Sequence, residues 1–161
     1  TGNPTWFFLS SSIDGNGKFS AIDMIWEHDR WNVADPDSNR IGYLSDTVRT
    51  HWGDKVGWSF GTMIFYNEGL SGIFHSLELV SVTGAAVWGT DPTVWTQYSL
   101  DGQTWSMERP VSAGKAGERN KRIVWMQQGS MKNMRMQKFR GTSDAPLAIA
   151  SLEARIEPLA F

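Results

Sequence analysis

An all-β protein is what this sequence predicts, and three observations carry the expectation. Turn-forming clusters recur along its 161 residues: Asp14-Gly15-Asn16-Gly17, Asp35-Pro36-Asp37-Ser38, Asn67-Glu68-Gly69, Asp91-Pro92, Asp101-Gly102, Gly129-Ser130 and Gly141-Thr142-Ser143-Asp144. The segments between them are mostly short, which suits strands better than globular helices. The chain also holds 9 Trp, 8 Phe and 3 Tyr, and aromatic side chains favour sheets and interfaces. At this length one domain, or one domain with part of another, is expected.

The elements follow in order. The chain starts at Thr1 without Met and meets Trp6-Phe7-Phe8-Leu9 almost at once, which reads as a processed chain or a piece of something longer, with an early strand. Asp14-Gly15-Asn16-Gly17-Lys18 resembles the opening of a calcium loop. Phe19 stands where that loop needs glycine and Lys18 where it needs a ligand, so a tight polar turn is expected instead. Phe19 to Trp26, Arg30 to Val33 and Arg40 to Leu44 read as successive short strands, with Asp35 to Asn39 a reverse turn. Ser45 to Trp52 has room for one helical turn, and a seam is expected near residues 53–58. Thr93 to Leu100 alternates, with Val94, Thr96, Tyr98 and Leu100 on one face and Trp95, Gln97 and Ser99 on the other. Asp101-Gly102 suits a type I′ turn, so that Gln103 to Met107 returns as the partner strand. Lys121 to Gln127 and Met134 to Arg140 read as another strand pair. Ala145 to Arg155 fits a helix or a final strand.

Composition excludes much chemistry. Without cysteine there is no disulfide framework, thiolate zinc site, iron–sulfur cluster or cysteine nucleophile. A net charge of −2 and a pI near 5.9 argue against a generally basic nucleic-acid binder. No apolar run reaches the roughly 18 residues of a membrane helix, so no membrane insertion is expected. His28, His51 and His75 stand in separate segments with no nucleophile, zinc or phosphate-loop motif around them. Glu27-His28-Asp29 cannot converge on one ion from a strand, because neighbouring side chains alternate faces. The acidic residues offer no preferred carboxylate pair for glycoside hydrolysis. The expectation is therefore no enzyme, no cofactor and no metal.

Charge is instead distributed by region. Residues 1–100 carry a balance of −6 and residues 101–161 one of +4. Within 109–140 there are nine basic residues, Arg109, Lys115, Arg119, Lys121, Arg122, Lys132, Arg135, Lys138 and Arg140, against Glu118 alone. They suit an ordinary solvated face, a docking surface for an acidic partner, or a strip facing phosphates. Alternation puts Met134 and Met136 on one face with Lys138 and Arg140. That face would pass from apolar to charged where the strand leaves the core.

Ser99-Leu100-Asp101-Gly102-Gln103-Thr104-Trp105 is one residue short of the sialidase Asp-box. It also looks like the hairpin of galactose-binding-like jelly rolls, with Trp105 covering the turn. Together with the Trp content it motivates an alternative function, a carbohydrate-binding β-sandwich module.

A longer resemblance covers most of the second half. Its motifs are Phe60-Gly61-Thr62-Met63, Leu77-Glu78-Leu79-Val80-Ser81-Val82-Thr83-Gly84, Tyr98 to Trp105, Asn120-Lys121-Arg122-Ile123-Val124-Trp125, Met134 to Arg140, and Leu152-Glu153-Ala154-Arg155-Ile156-Glu157. In this order they resemble the C-terminal region of the tail hub proteins of short-tailed phages, also described as packaged-DNA stabilisation proteins. Trp31-Asn32-Val33 followed by Asp37 to Leu44 is similar to the last β-propeller blade before that region.

The resemblance implies a β-sandwich of jelly-roll, galactose-binding-like type over residues 57–161, preceded by propeller-like β-hairpins at 1–56 that end a larger domain. It implies a virion structural protein that forms a homo-oligomeric ring, links portal or adaptor to tailspike or needle, and helps retain packaged DNA. Its partners would be other tail proteins and double-stranded DNA in the lumen. The absence of thiols fits assembly in a reducing host cytoplasm. Trp6, Trp26 and Trp31 would belong to the propeller-like part, and Trp105 and Trp125 to packing. Trp52, Trp58, Trp88 and Trp95 remain as aromatic interface candidates.

Overall fold

A computed structural model describes residues 7–144 and 148–160; Trp6 and residues 145–147 lie outside them. Among the described residues the chain is all β, without a helix. It divides into two compact units, Thr1–Trp58 and Ser59–Phe161.

The first unit holds one antiparallel sheet in the order β1 (Ile22–Glu27), β2 (Arg30–Ala34), β3 (Ile41–Tyr43). Residues 7–9 are not in a strand, and 45–52 contain bends and a bridge residue but no helical turn. The β1–β2 register pairs Glu27 with Arg30, so His28 and Asp29 alone make the turn. Both have positive φ, 54° and 56°, as a type I′ turn requires. No glycine marks this turn, which is why the sequence points elsewhere for one.

The turn from β2 to β3 is held by Asp35. Its carboxylate accepts from the Ser38 hydroxyl (2.6 Å), the Asp37 N–H (3.1 Å) and Arg40 Nε and Nη2 (3.0 and 2.6 Å). The Ser38 hydroxyl, the Asp37 N–H and the Arg40 guanidinium together pull the carboxyl down to about 2. Trp52 lies across β3 at Gly42, where a Cβ would come within 2.7 Å of the indole ring, so only glycine admits the ring there. The indole Nε1 donates to Ser20 O at 3.0 Å. Asp14-Gly15-Asn16-Gly17 is a polar turn, with Asp14 accepting from Ser12 and from the Asn16 N–H.

The second unit contains two sheets. One runs β4 (Gly57–Gly61), β10 (Met134–Thr142), β7 (Thr93–Ser99), β8 (Arg109–Ser112), with β5 (Phe65–Tyr66) also paired to β10; β4 starts two residues before the unit boundary. The other runs β11 (Ala148–Pro158), β6 (Gly72–Val82), β9 (Ile123–Met131). Of the Ala145 to Arg155 segment, the described residues form strand β11. The expected pairing of Lys121–Gln127 with Met134–Arg140 is corrected: both strands exist, but β9 pairs with β6 and β10 with β7. These two consecutive strands go to opposite sheets of a β-sandwich.

Its core is Phe74, Leu77 and Leu79 from β6, Val94 from β7, Ile123, Trp125 and Met131 from β9, and Phe139 from β10. The Phe139 ring stacks on Phe60 at 5.2 Å and meets Trp125 at 5.5 Å, which joins the two sheets. Trp125 further donates Nε1 to Arg109 O on β8 at 2.9 Å. In β6 the inward residues Phe74 and Leu77 are three apart, because the register against β11 shifts there: Arg155 and Ile156 are adjacent but pair with Ser76 and Phe74, which leaves one extra residue in β6. Such a bulge inserts one residue and resets alternation.

Candidate docking surface

The nine basic residues of 109–140 do not form one strip. Along β10 the alternation holds: Met134, Met136, Lys138 and Arg140 share the partly exposed face, and Arg135, Gln137 and Phe139 the buried one. The sense is opposite to the expected one, so Arg135 is corrected from a surface candidate to a core residue with 0% exposure. Its guanidinium lies 4.3 Å from the Phe74 ring centre and 4.0 Å from that of Tyr98. Nε and Nη2 donate to Gln137 Oε1, both at 3.1 Å, and Nη1 to Gln128 O at 2.7 Å. Gln137 Nε2 passes the network on to Thr96 Oγ1 at 2.6 Å, and Thr96 donates to Lys138 O at 3.0 Å. Burial lowers the Arg135 pKa to about 10, so it is still charged at neutral pH.

Four more cations have intramolecular partners. Arg122 forms a two-pronged pair with Glu78, with Nε donating to Oε1 at 2.7 Å. Arg140 pairs with Glu108 and lies 4.3 Å over the ring of Trp95, the residue opposite it in the register. Lys138 stands 5.9 Å over Trp105, and Arg109 Nη1 donates to Gln127 O at 2.8 Å. The guanidinium bonds hold the carboxyls of Glu78 and Glu108 below their usual range and raise Arg122 and Arg140. Lys115, Arg119, Lys121 and Lys132 remain exposed, with no side-chain partner among the described residues.

Of the tryptophan candidates, Trp88 alone stands fully out, at 89% exposure. Trp52 is half-buried in its own unit, with Arg40 5.1 Å over its ring. Trp95 is half-buried beneath Arg140, and Trp58 is half-buried. Trp125 is buried as expected, whereas Trp105 is partly exposed. Composition gave no sign of the exposed apolar residues on the first sheet, among them Ile25, Trp26, Trp31, Ile41 and Tyr43; Trp26 and Trp31 meet edge to face at 5.4 Å.

The turn after β7 is also corrected. Gly102 has positive φ (77°) and Asp101 does not; residues 103–107 form no strand, although the Ser106 N–H donates to Tyr98 O at 2.8 Å, and the ladder of β7 is with Arg109–Ser112. Instead of a two-residue hairpin there is a loop organised by Asp101. Its carboxylate accepts from the Thr104 hydroxyl (2.6 Å), the Gln103 and Thr104 N–H groups (2.8 Å each) and the Ser99 hydroxyl (2.9 Å). The Thr104 hydroxyl leads in holding the carboxyl far below its usual range. Ser99 is thereby buried, and Leu100, expected inside, is exposed.

What sequence reasoning missed is how two loops join. Gly117 N donates to Gly84 O at 2.9 Å, and Thr83 Oγ1 to Glu118 O and Lys121 O at 3.2 and 3.1 Å. At the other end Ala113 N donates to Pro92 O at 2.7 Å and Ser112 Oγ to Asp91 at 2.6 Å. The β6–β7 loop that carries Trp88 is thus pinned at both ends to the β8–β9 loop that carries Lys115, Arg119 and Lys121. Gly84 makes the contact possible: its φ is 81°, and a Cβ there would lie 2.8 Å from Arg119 N.

The histidines stay apart. His51 bonds Ser11 Oγ at 2.7 Å, His75 pairs with Glu157 at 2.8 Å, and His28 sits in the β1–β2 turn. Among the described residues no three acidic or histidine side chains group to hold a metal, and there is no helix to cross a membrane.

Two family models match the chain. Residues 57–157 match the one described as bacteriophage P22 Gp10, beta-sandwich, and residues 1–49 the one described as bacteriophage P22 Gp10, beta-propeller. No curated protein matches the chain.

Proposed function

Because this chain belongs to the bacteriophage P22 Gp10 family of tail hub, packaged-DNA stabilisation proteins, we propose that it forms an oligomeric ring linking the portal or adaptor to the tailspike or needle. It is a structural protein of the phage virion, and its neighbours are other virion proteins. In the proposed ring, residues 1–56 end a larger propeller, residues 57–161 are a sandwich that contacts neighbours, and assembly takes place in the host cytoplasm. The ring helps retain packaged DNA and performs no catalytic step.

The observation that carries this reading is the tandem match, propeller model first and sandwich model second. The surface is in keeping with it. Exposed Trp, Ile and Tyr side chains on the first sheet are the residue types that interfaces bury. The free cations of the second unit suit contact with negatively charged neighbours. The test is the native mass of the full-length protein alone and after mixing with tail partners. A concentration-dependent ring, or incorporation into particles as a ring, is expected; a protein that stays monomeric and joins no particle overturns the proposal.

A further inference from the structure

Resting on the tail-hub reading, we infer that the joined β6–β7 and β8–β9 loops form a docking site for an acidic protein segment of a virion neighbour, with Trp88 as anchor. Three observations lead there. Trp88 is 89% exposed and its neighbour Val87 65%, so an apolar tip stands in water without cover from its own unit. Lys115, Arg119 and Lys121 extend from the loop bonded to it, and none has a side-chain partner among the described residues. The carboxylates at this end are engaged locally, Glu118 accepting the Lys115 N–H at 2.8 Å and Asp91 the Ser112 hydroxyl.

An exposed aromatic on one loop and unpaired cations on the loop bonded to it are the composition of an interface centre and its rim. Charge complementarity makes the occupant acidic. The apolar tip favours a protein segment over DNA, because phosphate contacts would use the cations and leave Val87 and Trp88 in water. The pinning bonds at both loop ends reduce the ordering cost of binding.

The experiment places a photo-reactive residue in the full-length protein as Trp88→p-benzoylphenylalanine, irradiates assembled virions, and identifies the cross-linked species by mass spectrometry. The expected product is a cross-link to an acidic segment of another virion protein. The triple change K115E/R119E/K121E should lower its yield by about tenfold at low salt, while K132E, away from the site, leaves it unchanged. Cross-linking to DNA, equal yields in the triple variant, or no cross-link in virions that contain the protein each overturn the docking site and leave the tail-hub reading standing. Absence of the unmodified protein from purified virions overturns both.

Discussion

The guanidinium carbon of Arg135 stands 4.0 Å from the centre of the Tyr98 ring, inside the sandwich, and no carboxylate among the described residues bonds it. Two aromatic faces, a carbonyl and a glutamine oxygen take the place of a counter-ion. Such a group is tolerated because its donors are met and the ring faces are electronegative.

Replacing this side chain should therefore separate charge from volume. Arg135→Ala leaves a cavity beside Phe74 and strands Gln137 and Gln128 O, a loss of about 3 kcal/mol. Arg135→Met strands the same acceptors but keeps the volume and removes the buried charge, and should cost clearly less than the alanine change. Urea midpoints compare the two, and equal losses would refute this account.

Asp35 gives the first unit an acid dependence. Its folded pKa of about 2 lies below the ordinary 3.8, so the folded state prefers the ionised form. That contribution is complete above about pH 4 and is lost as pH falls towards 2. The stability difference between the parent and Asp35→Asn should shrink over this window. A difference that stays constant to pH 2 would show that the bonds to Ser38, Asp37 and Arg40 do not depend on ionisation.

Gly84→Ala should loosen the two joined loops. Positive φ and the approach to Arg119 N predict a loss of about 1–3 kcal/mol, with faster amide exchange at Gly117 than at core strand β7. Unchanged exchange at Gly117 would mean that its bond to Gly84 does not hold the loops together.

Trp95 and Trp105 each carry a cation over one ring face, so they offer no open row for sugar stacking. Added mono- and oligosaccharides should leave intrinsic fluorescence unmoved, and a glycan array should give no hits. A saturable shift in emission would instead revive the carbohydrate-binding alternative.

Arg122→Glu sets two like charges together at Glu78 and should lower the melting temperature, while assembly with tail partners keeps its salt dependence. If assembly weakens without loss of stability, Arg122 contacts a neighbour directly.

Local pattern carried strands β7, β9 and β10 of the second unit, the β1 to β3 hairpins, the reverse turn at Asp35 and the family resemblance. All of these depend on residues close in sequence or on motif order. It also put a strand at Gln103–Met107, where there is none, and did not place β8. Turn type was less legible, since His28-Asp29 adopts positive φ without glycine, whereas Asp101 spends its carboxylate on a longer loop. Alternation also told correctly which residues of β10 share a face. It could not tell which face turns inward, because a period of two fixes parity and leaves the sense to the sheet packed opposite. Only the tertiary structure places Arg135 between Phe74 and Tyr98, pairs Arg122 and Arg140 with distant carboxylates, and leaves Lys115, Arg119 and Lys121 without a side-chain partner among the described residues, on the loop bonded to the one that carries Trp88. Partnership between charges is a property of space, and residues 44 apart, such as Glu78 and Arg122, become neighbours only when strands align.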